Sequence, residues 1–266
     1  MRVILSRKGF DSGYGGCASP ILPEGTMVSM PIPSKNDECR YEDLIFPGGG
    51  NYFEAWNSLA PHGEKIKNCH LDPDIRRGTR KEINGWVPTF GQIDAAQGHL
   101  TNQGVTIGDL FLFFGWFKKT EYRDGQLVYQ RGAENVQAIY GYFQIGGIYT
   151  GEEVKQFSWH PHSKYTGTNN TIYTATESLI INGKECHLPG AGTLKYSDKL
   201  VLTEQGMSRS RWKLIDVFSD KSISLSYHDK NKCIRDGYFQ CAAKGQEFVF
   251  GESKVVTEWA RKIIQN

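Results

Sequence analysis

Several short clusters in this 266-residue chain combine residue types that could do chemistry. In Cys69-His-Leu-Asp-Pro-Asp74, an extended backbone would put His70, Asp72 and Asp74 at i, i+2 and i+4, on one face. An imidazole and two carboxylates aimed at one point suit a divalent metal or an acid/base pair. The competing reading is turn chemistry, in which the Asp side chains bond their own backbone. In Phe157-Ser-Trp-His-Pro-His162, His160 and His162 again share a face, stiffened by Pro161. They form a two-point metal grip without a third ligand of their own, which His99, Asp109 or the His70/Asp72/Asp74 group could supply only through the fold. The same pair could instead orient a phosphate or a base edge, or simply stiffen a loop.

A third cluster, Arg7-Lys-Gly-Phe-Asp-Ser-Gly-Tyr-Gly-Gly16, packs two cations, a carboxylate and four glycines into one turn. A phosphate-binding loop of the nucleotide folds needs a helix to follow, and the prolines from Pro20 to Pro33 forbid one. A non-helical nest of amides at Gly15 and Gly16 remains available to an anion, with Arg7 or Lys8 adding charge; a plain structural corner is the alternative. Further on, Arg209, Arg211 and Trp212 would suit a phosphate-and-base surface, or a solvated loop with one packed indole.

The elements that must position these groups are mostly strands. Thirty Gly, ten Pro and 33 aromatics (14 Phe, 13 Tyr, 6 Trp) point to many short strands and elaborate loops. The chain centres on Leu110–Phe114, an unbroken apolar run that predicts a strand covered on both faces, with Trp116 and Phe117 following it. The Asp124-Gly125 turn and the limb Val136–Ile145 complete a meander. Glycines along that limb predict a curled antiparallel sheet, the core of a small barrel. One internal helix is predicted over Gly91–Gln103, with Gln97 on its buried stripe and His99 on the flank, and an amphipathic helix over Ser253–Ile264. Lys244–Phe250 reads as an inward strand entered through Gln246 and Glu247. The fold class is therefore α+β and β-rich: one domain over residues 1–266, with a long irregular insertion at about 46–88.

A net charge of +2 excludes a strongly basic nucleic-acid coat. No stretch approaches the roughly 20 apolar residues of a membrane span, and the first apolar run is far too short for a signal peptide, so a cytoplasmic protein without membrane contact is expected. Six cysteines without a CxxC pair read as reduced thiols.

Arg7–Ser12, Gly15-Gly16, Pro31–Pro33, His70–Asp74, Phe90–Gln92, Gln97–Leu100, Gly108–Phe117, His160–His162, Ser208–Trp212 and Gly245–Val249 together resemble the nucleotide-modification-associated domain 3 family, over nearly the whole length. The resemblance implies one domain and a context of nucleotides or modified DNA in bacteria and phages; it carries no catalytic role to any residue. The strand pair around Gly108–Ile148 is similar in layout to PUA-like and EVE-type barrels, an analogy of fold only.

The expected function is an enzyme acting on a nucleotide or a base in nucleic acid. Arg7 and Lys8 would hold phosphate, Asp11, His99 and Lys8 are candidate catalytic groups, and Gln97 would read a base edge. His70, Asp72, Asp74, His160 and His162 are candidate ligands for a divalent metal. Gly15, Gly16, Trp116, Arg209, Arg211 and Trp212 are candidate nucleic-acid contacts. The alternatives are a non-catalytic reader that stacks a flipped base on Trp116, Phe117 or Trp212, and a metal-dependent nuclease directed at modified DNA.

Overall fold

A computed structural model describes residues 1–243 and 245–265. In chain order its strands are β1 (Val3–Arg7), β2 (Ser19–Ile21), β3 (Ile32–Pro33), β4 (Cys69–His70), β5 (Thr89–Gln92), β6 (Leu110–Arg123), β7 (Gln126–Tyr129), β8 (Val136–Thr150) and β9 (Thr171–Ala175). They continue as β10 (Ser178–Ile181), β11 (Lys184–Pro189), β12 (Ala191–Thr193), β13 (Arg211–Trp212), β14 (Ile234–Arg235), β15 (Tyr238–Gln240) and β16 (Glu247–Val249). The helices are α1 (Tyr52–Leu59), α2 (Asp94–Asn102), α3 (Asp216–Ser219), α4 (Lys230–Cys233) and α5 (Lys254–Ile264).

The predicted meander is the centre of the molecule. Strands β6 and β8 pair antiparallel, β7 folds back on the far end of β6 through Asp124-Gly125, and Leu110 to Phe114 are all fully buried. A barrel does not form. The main sheet runs β16-β1-β6-β8-β9-β5 and is open and mixed, because β1 and β2 lie parallel to β6. A parallel pair buries both faces, which is what the continuous apolar run of β6 requires. Register shifts at Phe113/Phe114 and Ile145/Gly147 bend the two long strands. The resulting curl brings the edge strands β5 and β16 within side-chain reach.

Two hydrophobic clusters flank the curl. The larger is built on β1, β6 and β8 with Phe90, Trp212 and Phe248; the smaller gathers Phe10, Tyr41 and Trp56 around α1. The segment from 46 to 88 therefore carries one real helix, capped by Asn51 and Glu54 in a reciprocal capping box, rather than being irregular throughout. The internal helix starts later than the sequence suggests, at Asp94, because Gly91 and Gln92 are taken by β5. In α5 the buried face is Val256, Ala260, Ile263 and Ile264, while Val255 faces solvent. Lys244, placed by the sequence at the entry to the last strand, lies outside the described residues. Among those residues no helix is long and apolar enough to cross a membrane, and all six cysteines are free thiols.

Candidate functional site

Lys8 leaves the end of β1 and turns inward beside β6. Its backbone can pass there because Gly115 has no side chain: a Cβ at that position would stand 2.6 Å from the Lys8 carbonyl oxygen. The ammonium lies 4.3 Å from the centre of the Phe90 ring, 3.6 Å from Asp72 Oδ2 and 3.5 Å from Glu247 Oε1. Glu247 also accepts from Gln92 Nε2 at 2.6 Å and from Ser6 Oγ at 3.1 Å, so β1, β5 and β16 converge on one carboxylate. Its second oxygen, Oε2, is buried without a partner. Burial pushes the Glu247 carboxyl up, with Lys8, Ser6 and Gln92 pulling against it.

Asp72 sits just past β4, which pairs with β3. Its Oδ1 accepts from the backbone N–H of Gly91 at 2.8 Å. Burial opposes its ionisation, yet Lys8, His160 and His162 override that and hold the carboxyl well below the usual carboxylate range. Gly91 serves the site twice, since a Cβ there would stand 2.3 Å from the His162 ring, and only a glycine lets that imidazole pack against β5.

The imidazoles are fixed by their neighbours. Asn170 donates its amide to the carbonyls of His162 at 2.7 Å and Tyr165 at 3.2 Å, which turns its Oδ1 toward His162 Nδ1, 2.7 Å away. His162 therefore carries its proton on Nδ1 and leaves Nε2 free. Burial takes its pKa down to about 3, which keeps the ring neutral. His70 Nδ1 faces Asp37 Oδ2 at 3.0 Å, so the carboxylate accepts and Nε2 is again the free nitrogen. Burial works against ionised Asp37, but His70 and Ser34 hold it below its ordinary value. His160 is oriented the other way: its Nδ1 accepts from the His162 backbone N–H at 3.3 Å, leaving the proton on Nε2. That nitrogen lies 3.3 Å from Asp72 Oδ1 but out of line for a hydrogen bond, and it finds no other partner among the described residues.

Lys8, His70, Asp72 and His162 open onto a cavity of about 460 Å3, whose wall also includes Tyr14, Asp37, Gln92 and Tyr165. Tyr165 stacks on His70 at 5.9 Å, 13° from parallel, and Tyr14 is 56% exposed. Along the wall the carboxylates of Asp11, Asp37 and Asp72 stand against the two cations Arg7 and Lys8. The arrangement can bind a cation, move protons between fixed imidazoles and carboxylates, and accept a flat group at its mouth.

Other residues singled out from the sequence take different places. Asp74 turns away from His70 and Asp72 because the Arg80 guanidinium and the Trp86 indole, at 2.8 Å, hold its carboxylate. Asp11 reaches the cavity rim but closes its own loop, accepting from Gly13 and Tyr14 N–H at 2.7 Å each. Gly15 and Gly16 shape that loop, with the Gly16 N–H bonded to the Asp11 carbonyl. Arg7 lines the cavity with its guanidinium tied to the Ala242 carbonyl. His99 bonds Ser226 Oγ at 2.9 Å, and Gln97 is satisfied by Tyr173 and Thr101; neither lines the cavity. Trp212 is fully buried, its indole N–H bonded to Gln137, and Phe117 is equally buried, so neither ring can stack a base. Arg209 lies 3.8 Å over the half-buried Trp116 ring, and Arg211 packs on Tyr238 at the surface.

Sequence reasoning missed Asp37, Tyr165 and Asn170, which no local motif marks, and saw Glu247 only as part of a polar strand entry. An acid beside Phe248 and Val249 inside a buried strand was the available signal for Glu247. The family model of nucleotide modification associated domain 3 matches residues 2–251, which include every residue of this site. No curated protein and no solved structure matches the chain. On that whole-length match, the chain belongs to the nucleotide modification associated domain 3 family.

Proposed function

We propose that this protein is an enzyme that modifies a nucleotide, or a base of DNA, in the cavity bounded by Lys8, His70, Asp72 and His162. The observation that carries the reading is the convergence on one cavity of Lys8, the carboxylates of Asp11, Asp37 and Asp72, and the imidazoles of His70 and His162, with Glu247 and His160 packed behind Lys8 and Asp72. Perturbed titratable groups gathered in this way cluster where chemistry is done. The volume of about 460 Å3 falls within the roughly 300–1,000 Å3 of small-ligand sites. Tyr165 and Tyr14 offer aromatic faces for a base, and a target inside a duplex would have to be flipped out to reach them. A pocket that only read a base would need no more than those stacking planes and edge donors; the carboxylates and imidazoles gathered below them favour catalysis. Trp116 with Arg209 lies beside the glycine loop, where the charges of Asp11 and Arg7 reach Arg209, and this edge would take the flanking backbone.

Isothermal titration of the purified chain with the four deoxynucleoside monophosphates and with short single-stranded oligonucleotides tests the reading. Saturable binding is expected for at least one of them, weakened by about 1–3 kcal/mol in Tyr165→Ala or Tyr14→Ala. No saturable binding, or affinity unchanged in both variants, would place the nucleotide elsewhere.

A further inference from the structure

His70, Asp72 and His162 each offer a ligand atom, and these atoms lie within 4.8 Å of one another. Each side chain is anchored by its other polar atom: His70 Nδ1 by Asp37, His162 Nδ1 by Asn170, and Asp72 Oδ1 by the Gly91 N–H. The atoms left over are His70 Nε2, His162 Nε2 and Asp72 Oδ2, and among the described residues none of the three makes a hydrogen bond. Lys8, at 3.6 Å, is the only cation the described residues place beside Asp72 Oδ2.

We propose that His70, Asp72 and His162 hold one divalent first-row transition ion at the floor of the cavity. The donor set selects the class of ion. Two imidazoles and one carboxylate suit zinc, iron or manganese, whereas magnesium and calcium take oxygen ligands. Three protein ligands leave coordination positions open toward the cavity. Asp37 and Asn170 fix the tautomer and tilt of the two rings, the role that carboxylates and carbonyls play behind metal-bound histidines. Donors about 2.0–2.2 Å from one ion stand closer together than 4.8 Å, so binding draws the three side chains inward. His160 is excluded because its Nε2 carries the proton, and Asp74 because Arg80 holds it. The carboxylates of Asp11, Asp37 and Asp72 outnumber the cations Arg7 and Lys8 along the cavity wall, which favours a cation there. The assignment stands on the donor set alone and does not depend on the nucleotide reading; ion uptake and nucleotide binding are measured separately.

The test uses the full chain, stripped with chelator, desalted and titrated with Zn2+ by calorimetry, with metal content after gel filtration read by inductively coupled plasma mass spectrometry. One ion per chain is expected, with no competition from Mg2+. His160→Gln should retain it, and Asp37→Asn should weaken binding about 10–100-fold. His70→Ala, Asp72→Asn and His162→Ala should each weaken it further, with circular dichroism reporting the fold. Absence of saturable uptake by the native chain would overturn the assignment, as would an unchanged ion in folded His70→Ala or His162→Ala. Should a ligand variant fail to fold, Asp37→Asn carries the test, and an unchanged affinity there is contradictory.

Discussion

Gln92 and Glu247 stand on opposite edge strands of one open sheet, yet Gln92 Nε2 donates to Glu247 Oε1 at 2.6 Å. The sheet curls far enough for its edges to meet through side chains without closing through backbone, and the cavity lies along that seam. Gln92→Leu should remove one of the two hydrogen bonds on a buried carboxylate and cost about 1–3 kcal/mol in urea unfolding. A change within about 0.5 kcal/mol would mean that the seam does not hold the edges.

Lys8 lies between two buried carboxylates. Lys8→Met leaves Asp72 and Glu247 without their shared counter-charge, and a loss of about 3–5 kcal/mol is expected. Adding Glu247→Gln should recover part of it, so that the double variant falls short of the sum of the two singles. Additive losses would show that Lys8 and Glu247 act independently.

The two tryptophans that the sequence treats alike should separate. Trp212→Ala empties a fully buried position and should cost about 3–5 kcal/mol of stability. Trp116→Ala should cost less, about 1 kcal/mol, because its half-buried ring gives up only the Arg209 contact and one hydrogen bond to Asn135. It should still weaken oligonucleotide binding by about 1–3 kcal/mol, the worth of one stacked base. Thermal unfolding and fluorescence anisotropy read the two effects.

His228 gives the fold a pH dependence. Burial holds its pKa below the ordinary value, against the Ser226 carbonyl, while Nε2 accepts from the Ala242 N–H. The unfolded chain protonates this ring near pH 6.5 and the folded chain resists, so its contribution is complete above about 6.5 and declines as pH falls below it. Urea unfolding at about pH 5 and about pH 7.5 should show a smaller loss on acidification in His228→Gln than in the parent. Equal losses would mean that His228 does not contribute.

The fold was legible where one strand period or one turn decides it. Leu110–Phe114, Asp124-Gly125 and the C-terminal helix follow from apolar runs, a turn dipeptide and helical spacing. The open mixed sheet was not legible, because the parallel pairing of β1 with β6 joins segments about a hundred residues apart. At the site, His70 and Asp72 do come together, but through a turn just past β4, where the Asp72 N–H bonds the His70 carbonyl, and not through strand alternation. The predicted face fails outright at Asp74, where Arg80 and Trp86 compete for the carboxylate. His162 could be named from sequence but not joined to His70, and Asp37, Asn170 and Glu247 acquire meaning only through contacts made across the fold.

The most direct measurement of the central claim is nucleoside analysis by liquid chromatography and mass spectrometry. Digested DNA and the nucleotide pool would be compared from cells expressing the parent chain and cells expressing Asp72→Asn, with expression and fold matched. The account predicts a nucleoside whose mass or abundance changes with the parent and not with the variant. Profiles that change equally with both, or with neither, would contradict chemistry on nucleotides at this cavity.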